Sequence, residues 1–161
     1  MSANSFKVEF VEFKPGPKGT CKYADHKDAF ILQSAQLDHV AGQGSGSGAT
    51  FSPIWFHFEG TEVQQAAFAK LVGKADKTVN SLTYTSQIMI TGKRKDKKTI
   101  TYEGLDIVSV NGSPTAGEQA VMLSVQITYR KRKGKVTEYD AKGAVVASAP
   151  FEDDLDKGTS T

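Results

Sequence analysis

Residues 119–129 read Gln-Ala-Val-Met-Leu-Ser-Val-Gln-Ile-Thr-Tyr, and this stretch decides the fold class. Val121, Leu123, Val125, Ile127 and Tyr129 fall on one face, with Met122, Ser124, Gln126 and Thr128 on the other. Successive side chains of a strand point to opposite faces, so a period of two marks a half-buried β-strand. Residues 81–91 repeat it, with Leu82, Tyr84, Ile88 and Ile90 set against Thr83, Thr85, Gln87, Met89 and Thr91.

Outward from these two strands the pattern continues with punctuation. Residues 98–110 carry Ile100 and Tyr102 in phase, then Leu105 and Ile107 shifted after Gly104, which predicts a bulge at Gly104 because one extra residue reverses the face. Residues 6–13 and 30–40 read as further strands. Residues 51–58 place Ile54, Phe56 and Phe58 on one face and Trp55, His57 and Glu59 on the less apolar one. Pro53 has no N–H for the ladder and predicts a sheet edge or a bulge there. One helix is predicted over 62–72. Thr61 and Gln64 fit a capping box, Val63, Ala67 and Leu71 form its apolar stripe flanked by Phe68 and Val72, and Gly73 suits a left-handed terminus. Some seven strands around one helix predict a mainly β domain: a β-barrel of two packed antiparallel sheets with one short α-helix on its side.

The chain has 161 residues, one domain's worth, and 39% apolar residues, which excludes collagen-like, coiled-coil and wholly disordered readings. Residues 1–148 are expected to form the barrel domain, and 149–161 an acidic, flexible C-terminal tail. Charges at the N-terminus, where a signal peptide needs an apolar stretch, and the lack of any ~18-residue apolar window predict a chain made in the cytosol that is not inserted in a membrane.

Catalytic chemistry finds little support. His26, His39 and His57 share no metal-ligand spacing, and the lone Cys21 lies near no recognisable base. There is no Gly-x-Ser-x-Gly elbow, and the Gly/Ser stretch lacks the Lys-Ser/Thr ending of a phosphate-binding loop. No cofactor and no enzymatic role are expected.

Charge is instead concentrated. Residues 93–98 (Lys93, Arg94, Lys95, Asp96, Lys97, Lys98) sum to +4, and 130–135 (with Arg130, Lys131, Arg132 and Lys133) to +5. Glu152, Asp153, Asp154 and Asp156 give −4, within a net charge of only +2. Both basic runs are expected at strand–turn–strand junctions. Two such hairpin tips side by side would contact phosphates, although no stacking aromatic is interleaved. The same tips would equally meet an acidic neighbour, including the 152–156 segment of another copy. Gly42, Gln43, Gly44, Ser45, Gly46, Ser47 and Gly48 form a flexible connector between two strands.

The order of features resembles the haemolysin-coregulated protein (Hcp) family, inner-tube subunits of type VI secretion systems, themselves similar to phage tail-tube proteins. The likeness runs from about residue 5 to 140. It rests on the opening strand, Asp25-His26-Lys27, the Gly/Ser loop, the Phe-rich strand leading straight into the helix, Asp106–Val110 and the strand from Glu118. The resemblance implies hexameric rings of this chain that stack into a tube, with a VgrG-like spike, a contractile sheath and secreted effectors carried in the lumen as partners. It implies secretion without a signal peptide. Residues 42–48 are then expected at the ring–ring contact, and the basic tips at an acidic neighbour or cargo. Two alternatives stay open: a tail-tube subunit of a phage-like injection particle, and a small β-barrel that binds nucleic acid through its basic tips.

Overall fold

In a computed structural model the chain is described over residues 7–14, 16–21, 23–37, 40–42, 49–51, 53–73, 81–114, 120–154 and 159–160. The strands are β1 (Lys7–Lys14), β2 (Phe30–Gln36), β3 (Val40–Gly42), β4 (Ala49–Phe51), β5 (Ile54–Thr61), β6 (Ser81–Ile90), β7 (Lys93–Glu103), β8 (Asp106–Pro114), β9 (Ala120–Thr128), β10 (Lys131–Tyr139), β11 (Val145–Asp154) and β12 (Thr159–Ser160). A 3₁₀ turn spans Ala24–His26, and helix α1 is Glu62–Ala69.

Ten strands form one antiparallel sheet in the order β12-β11-β10-β7-β6-β1-β2-β5-β9-β8. It rolls up as a barrel of two halves. β1, β6, β7 and β10–β12 make one, and β2, β5, β9 and β8 the other, joined at Phe10↔Ile31 and Val11↔Phe30. The inner faces share one core, with Leu82, Tyr84, Ile100 and Tyr102 from the first half packed with Ile54, Phe56, Leu123, Val125 and Ile127 from the second. The Arg130 amide donates to the Glu103 carbonyl (3.1 Å), and Tyr102 and Tyr129 meet edge to face at 4.7 Å, so the far side of the barrel is also tied.

The two strands with clear period-two patterns, β9 and β6, are both present, but β6 alternates only at its start: Leu82 and Tyr84 turn inward, and Thr85 and Gln87 of the opposite face are buried as well. In β9 every second residue from Val121 to Ile127 is buried. In β5 Ile54, Phe56 and Phe58 turn inward, with Trp55, His57 and Glu59 opposite. β5 is not at an edge, however. It lies between β2 and β9, and Pro53 is tolerated because it stands just before the first paired residue, where no ladder bond is lost.

The expected bulge at Gly104 is a turn instead. Gly104 has φ +65°, a left-handed conformation that glycine adopts without a Cβ penalty, and the chain passes there from β7 in one half to β8 in the other. The shift of phase follows from that crossing, because Leu105 and Ile107 reach the shared core from a new direction. The hairpin β6–β7 does hold an irregularity, but at Lys97: Ser86 faces Lys98 and Gln87 faces Asp96, leaving Lys97 as the extra residue.

The helix begins as its sequence requires. The Gln64 amide donates to Thr61 Oγ1 (3.1 Å) and the Thr61 amide donates to Gln64 Oε1 (2.9 Å), which completes the capping box. Its regular part ends at Ala69. A looser turn follows to Gly73 (φ +72°), and Val72 bridges to Ile107 of β8. The buried face differs from the expected stripe. Val63 is 79% exposed, whereas Phe68 is fully buried against Phe13 (5.1 Å), Phe30 (5.6 Å) and Phe58 (5.8 Å) between ring centroids. A short helix lying across curved strands presents one large side chain rather than a whole stripe.

The C-terminal region corrects a larger expectation. Residues 149–154 are not a free tail but the second half of β11, paired along β10. Phe151 reaches the core over Gly134, where a Cβ would stand 2.7 Å from the ring, so Gly134 is needed for that close approach.

Phe68→Ala is expected to destabilise the fold by about 3–5 kcal/mol, the range for removing a large buried aromatic. Val63→Ala should stay within about 0.5 kcal/mol. Urea denaturation followed by circular dichroism checks both, and equal effects would mean that the helix is held by its other face.

Candidate assembly surfaces

The informative surfaces among the described residues are those that extend beyond the barrel wall or concentrate charge. The first is a ribbon. β3 and β4 pair with each other through Val40↔Phe51, Ala41↔Thr50 and Gly42↔Ala49. These pairs keep the register of the β2–β5 ladder, which ends at Gln36↔Trp55, with an equal step along both strands. The ribbon therefore continues the β2–β5 hairpin beyond the last rung of the main sheet. Gly42 closes its described part, and Gln43, Gly44, Ser45, Gly46, Ser47 and Gly48 lie outside the described residues.

The second surface is charged, and here the structure rearranges what the sequence suggested. Lys93, Arg94, Lys95, Lys97 and Lys98 stand in β7, and Lys131, Arg132 and Lys133 in β10, with only Arg130 in a turn. Neither run is a hairpin tip. Nor do they lie side by side, because antiparallel pairing sets Lys98 opposite Val136 and Lys131 opposite Glu103, so the runs follow one another along the sheet.

The acidic cluster lies beside the second run, within the same chain. In register, Lys131, Arg132 and Lys133 face Asp154, Asp153 and Glu152. Arg132 Nε donates to Asp153 Oδ2 at 2.5 Å, with the Asp153 side chain 3% exposed, and the Arg132 guanidinium lies over the Phe151 ring (5.2 Å). Lys131 pairs with Glu152 (3.3 Å) and Lys133 with Glu103 (3.9 Å). The Glu152 hydrogen bond and charge raise the Lys131 ammonium above its usual range. The premise of two adjacent cationic tips is thus removed: one run is neutralised by its own chain. Asp156 lies outside the described residues. Lys93, Lys95, Lys97 and Lys98 make no ion pair among the described residues.

Arg94 has a separate task that sequence reading missed. Its guanidinium lies 3.8 Å above the Tyr23 ring, donates to Gln87 Oε1 (2.8 Å) and donates to Asp25 Oδ1 (3.0 Å). Gln87, 2% exposed, also donates to Asp96 Oδ1 (2.8 Å). His26 stacks on Phe10 at 4.6 Å, so the β1–β2 connection is latched onto the outer face of β1, β6 and β7. The available signal was Asp25-His26 beside a buried-looking Phe10, but its partner is 69 positions away. Burial pushes the Asp25 carboxyl up. The Arg94 hydrogen bond, a backbone hydrogen bond and the charges of His26 and Arg94 outweigh this and hold it below its ordinary value.

The outer face of the other half is nearly uncharged. Across it run Gln36, Trp55, Gln126 and Ser109, then Ser34, His57, Ser124 and Asn111. His57 Nδ1 is 2.7 Å from Ser124 Oγ, and its ring is parallel to that of Trp55. Neither His26 nor His57 joins a group of metal-binding side chains among the described residues, and His39 lies outside them.

No protein-family model matches the chain, and no curated protein matches it in sequence. Solved structures do match in fold. Hcp1 from Salmonella typhimurium superposes with a TM-score of 0.74 at 12% identity, over 96% of this chain and 99% of that one. Secreted protein Hcp3 from Pseudomonas aeruginosa gives 0.66 at 12% identity, over 92% and 97%. A type VI secretion system effector from Yersinia pestis gives 0.65 at 14% identity, over 90% and 99%. The chain therefore has the β-barrel fold of Hcp proteins along nearly its whole length.

Two outcomes follow from the charged contacts. Asp153→Ala is expected to cost about 3 kcal/mol in chemical denaturation, since it removes a short ion pair to a largely buried guanidinium, whereas Glu152→Gln at the exposed Lys131 pair leaves the midpoint nearly unchanged. The lowered Asp25 carboxyl contributes latch stability that is complete above the ordinary carboxylate pKa of about 3.9 and lost as pH falls through the lower folded value. Carbon-detected NMR titration of Asp25 should show that low midpoint, and Arg94→Gln should raise it; an unmoved midpoint would dismiss the latch.

Proposed function

We propose that this chain is a ring-forming inner-tube subunit of a type VI secretion system, exported as part of the tube and carrying effectors in the ring lumen. The observation that carries the reading is the near end-to-end superposition on Hcp proteins, which spans almost the full length of both chains. The ribbon of β3 and β4 adds to it. A two-stranded extension in register with the barrel wall, tipped by a Gly/Ser-rich sequence, reaches past the subunit along the strand direction. Residues 42–48 are then the ring–ring contact.

Ring closure needs a heterologous contact repeated at a fixed rotation, and stacking then propagates along the axis. A spike and a contractile sheath are the further partners of this reading, and the tube itself is the route of export.

Light scattering behind a sizing column at two concentrations tests ring formation. A species near six times 17.4 kDa is expected, and a monomer at both concentrations counts against the reading. Ser45→Pro with Ser47→Pro should leave the ring and the fold intact and shorten or abolish stacked tubes in electron micrographs. Full-length tubes from that variant would move the ring–ring contact elsewhere.

A further inference from the structure

The latch of the β1–β2 connection encloses a cleft of about 260 Å³ on the outer face of the first half-barrel. It is lined by Thr83 and Thr85 of β6, Thr99 of β7, and the charged side chains of Glu12, Lys14, Asp25 and Asp96. This part of the molecule has no role in ring formation or stacking as described above, and its chemistry is specific.

Two groups in it are open to a guest. Thr85 is 4% exposed, and its hydroxyl makes no hydrogen bond among the described residues. Its oxygen is open to the cleft, where a guest can bond it. Asp96 bonds through Oδ1 to the neutral amide of Gln87 and makes no ion pair among the described residues. The other two carboxylates are compensated, Glu12 by Lys14 at 3.8 Å and Asp25 by Arg94 at 3.0 Å. The cleft thus offers an exposed carboxylate without an ion pair among the described residues, beside hydroxyl acceptors. The stacked rings of Phe10 and His26 supply an apolar wall along the same cleft.

We propose that this cleft binds a primary alkylammonium group, with its nitrogen between the Asp96 carboxylate and the Thr85 and Thr99 hydroxyls and its methylene chain along Phe10 and His26. An ammonium carries three N–H donors and no acceptor, which suits a carboxylate flanked by hydroxyl oxygens. A bare divalent cation is a poorer guest, because the described residues hold no group of three metal-binding side chains. The guest is either a lysine side chain on a protein segment or a free aliphatic amine.

The test uses the intact chain at neutral pH and low salt, titrated by calorimetry with Nα-acetyl-lysine amide, with 1,4-diaminobutane and, as a control without the charge, with Nα-acetyl-norleucine amide. Saturable binding of an amine but not of the norleucine compound is expected. Thr85→Val and Asp96→Asn should each weaken it at least about tenfold, the factor carried by one charge-assisted hydrogen bond. Thr85→Ser, which keeps the hydroxyl, should bind like the parent and covers the case in which the valine variant folds poorly. Tighter binding of the lysine compound assigns the cleft to a protein segment, and tighter binding of the diamine to a free amine. Absence of binding to both amines, equal binding of the norleucine compound, or affinity unchanged in both Thr85→Val and Asp96→Asn would overturn the proposal.

Discussion

Among the described residues, strand pairing joins the two halves of this barrel only at Phe10↔Ile31 and Val11↔Phe30, whereas β1 pairs with β6 along its whole length. So short a ladder cannot set the angle between two curved half-sheets. The work falls to side chains. Phe13 of β1, Phe30 of β2, Phe58 of β5 and Phe68 of α1 meet in one cluster, and every ring comes from a different element. Because aromatic rings bury large areas and prefer tilted or edge-on contacts, the cluster fixes both the closure and the seat of the helix. The capping box then only has to start α1 at the right residue.

Away from that core, charge is used in two different ways. In the β10–β11 hairpin a basic strand lies against an acidic one, so much of the strongest local charge is spent inside the subunit. On β7 the lysines at 93, 95, 97 and 98 remain unpaired among the described residues, while Arg94 in their midst turns back to Asp25 and Tyr23. One run of sequence thus serves two purposes, and alternate side chains of a strand make that possible. The opposite half-barrel presents amides, hydroxyls, Trp55 and His57. The two half-barrels thus present unlike outer faces.

β9, β6, β5 and the start of α1 were legible because each rests on a local rule: a period of two, or a hydroxyl and an amide at capping distance. β10 and β11 were not. The run Lys-Arg-Lys-Gly-Lys has no apolar alternation, and most of β11 is exposed, so neither strand carries the signal of a half-buried surface. They are strands because they complement each other in charge across the register, and because Gly134 makes room for Phe151. Pro53 and Gly104 were recognised as special, yet their consequences depended on which strand lay alongside.

The amino-acid sequence by itself determined the mainly β class, the position of the single helix and the faces of the strongest strands, since propensity and periodicity act between near neighbours. It also supplied the likeness to Hcp proteins, through the order of its features. Only the tertiary structure decided that 152–154 neutralise 131–133, that Phe68 rather than Val63 anchors α1, and that Arg94 latches Asp25 over a cleft lined by Thr85. Those are contacts between residues far apart along the chain, and their energies exist only once the sheet has curled and brought the partners within a few ångströms.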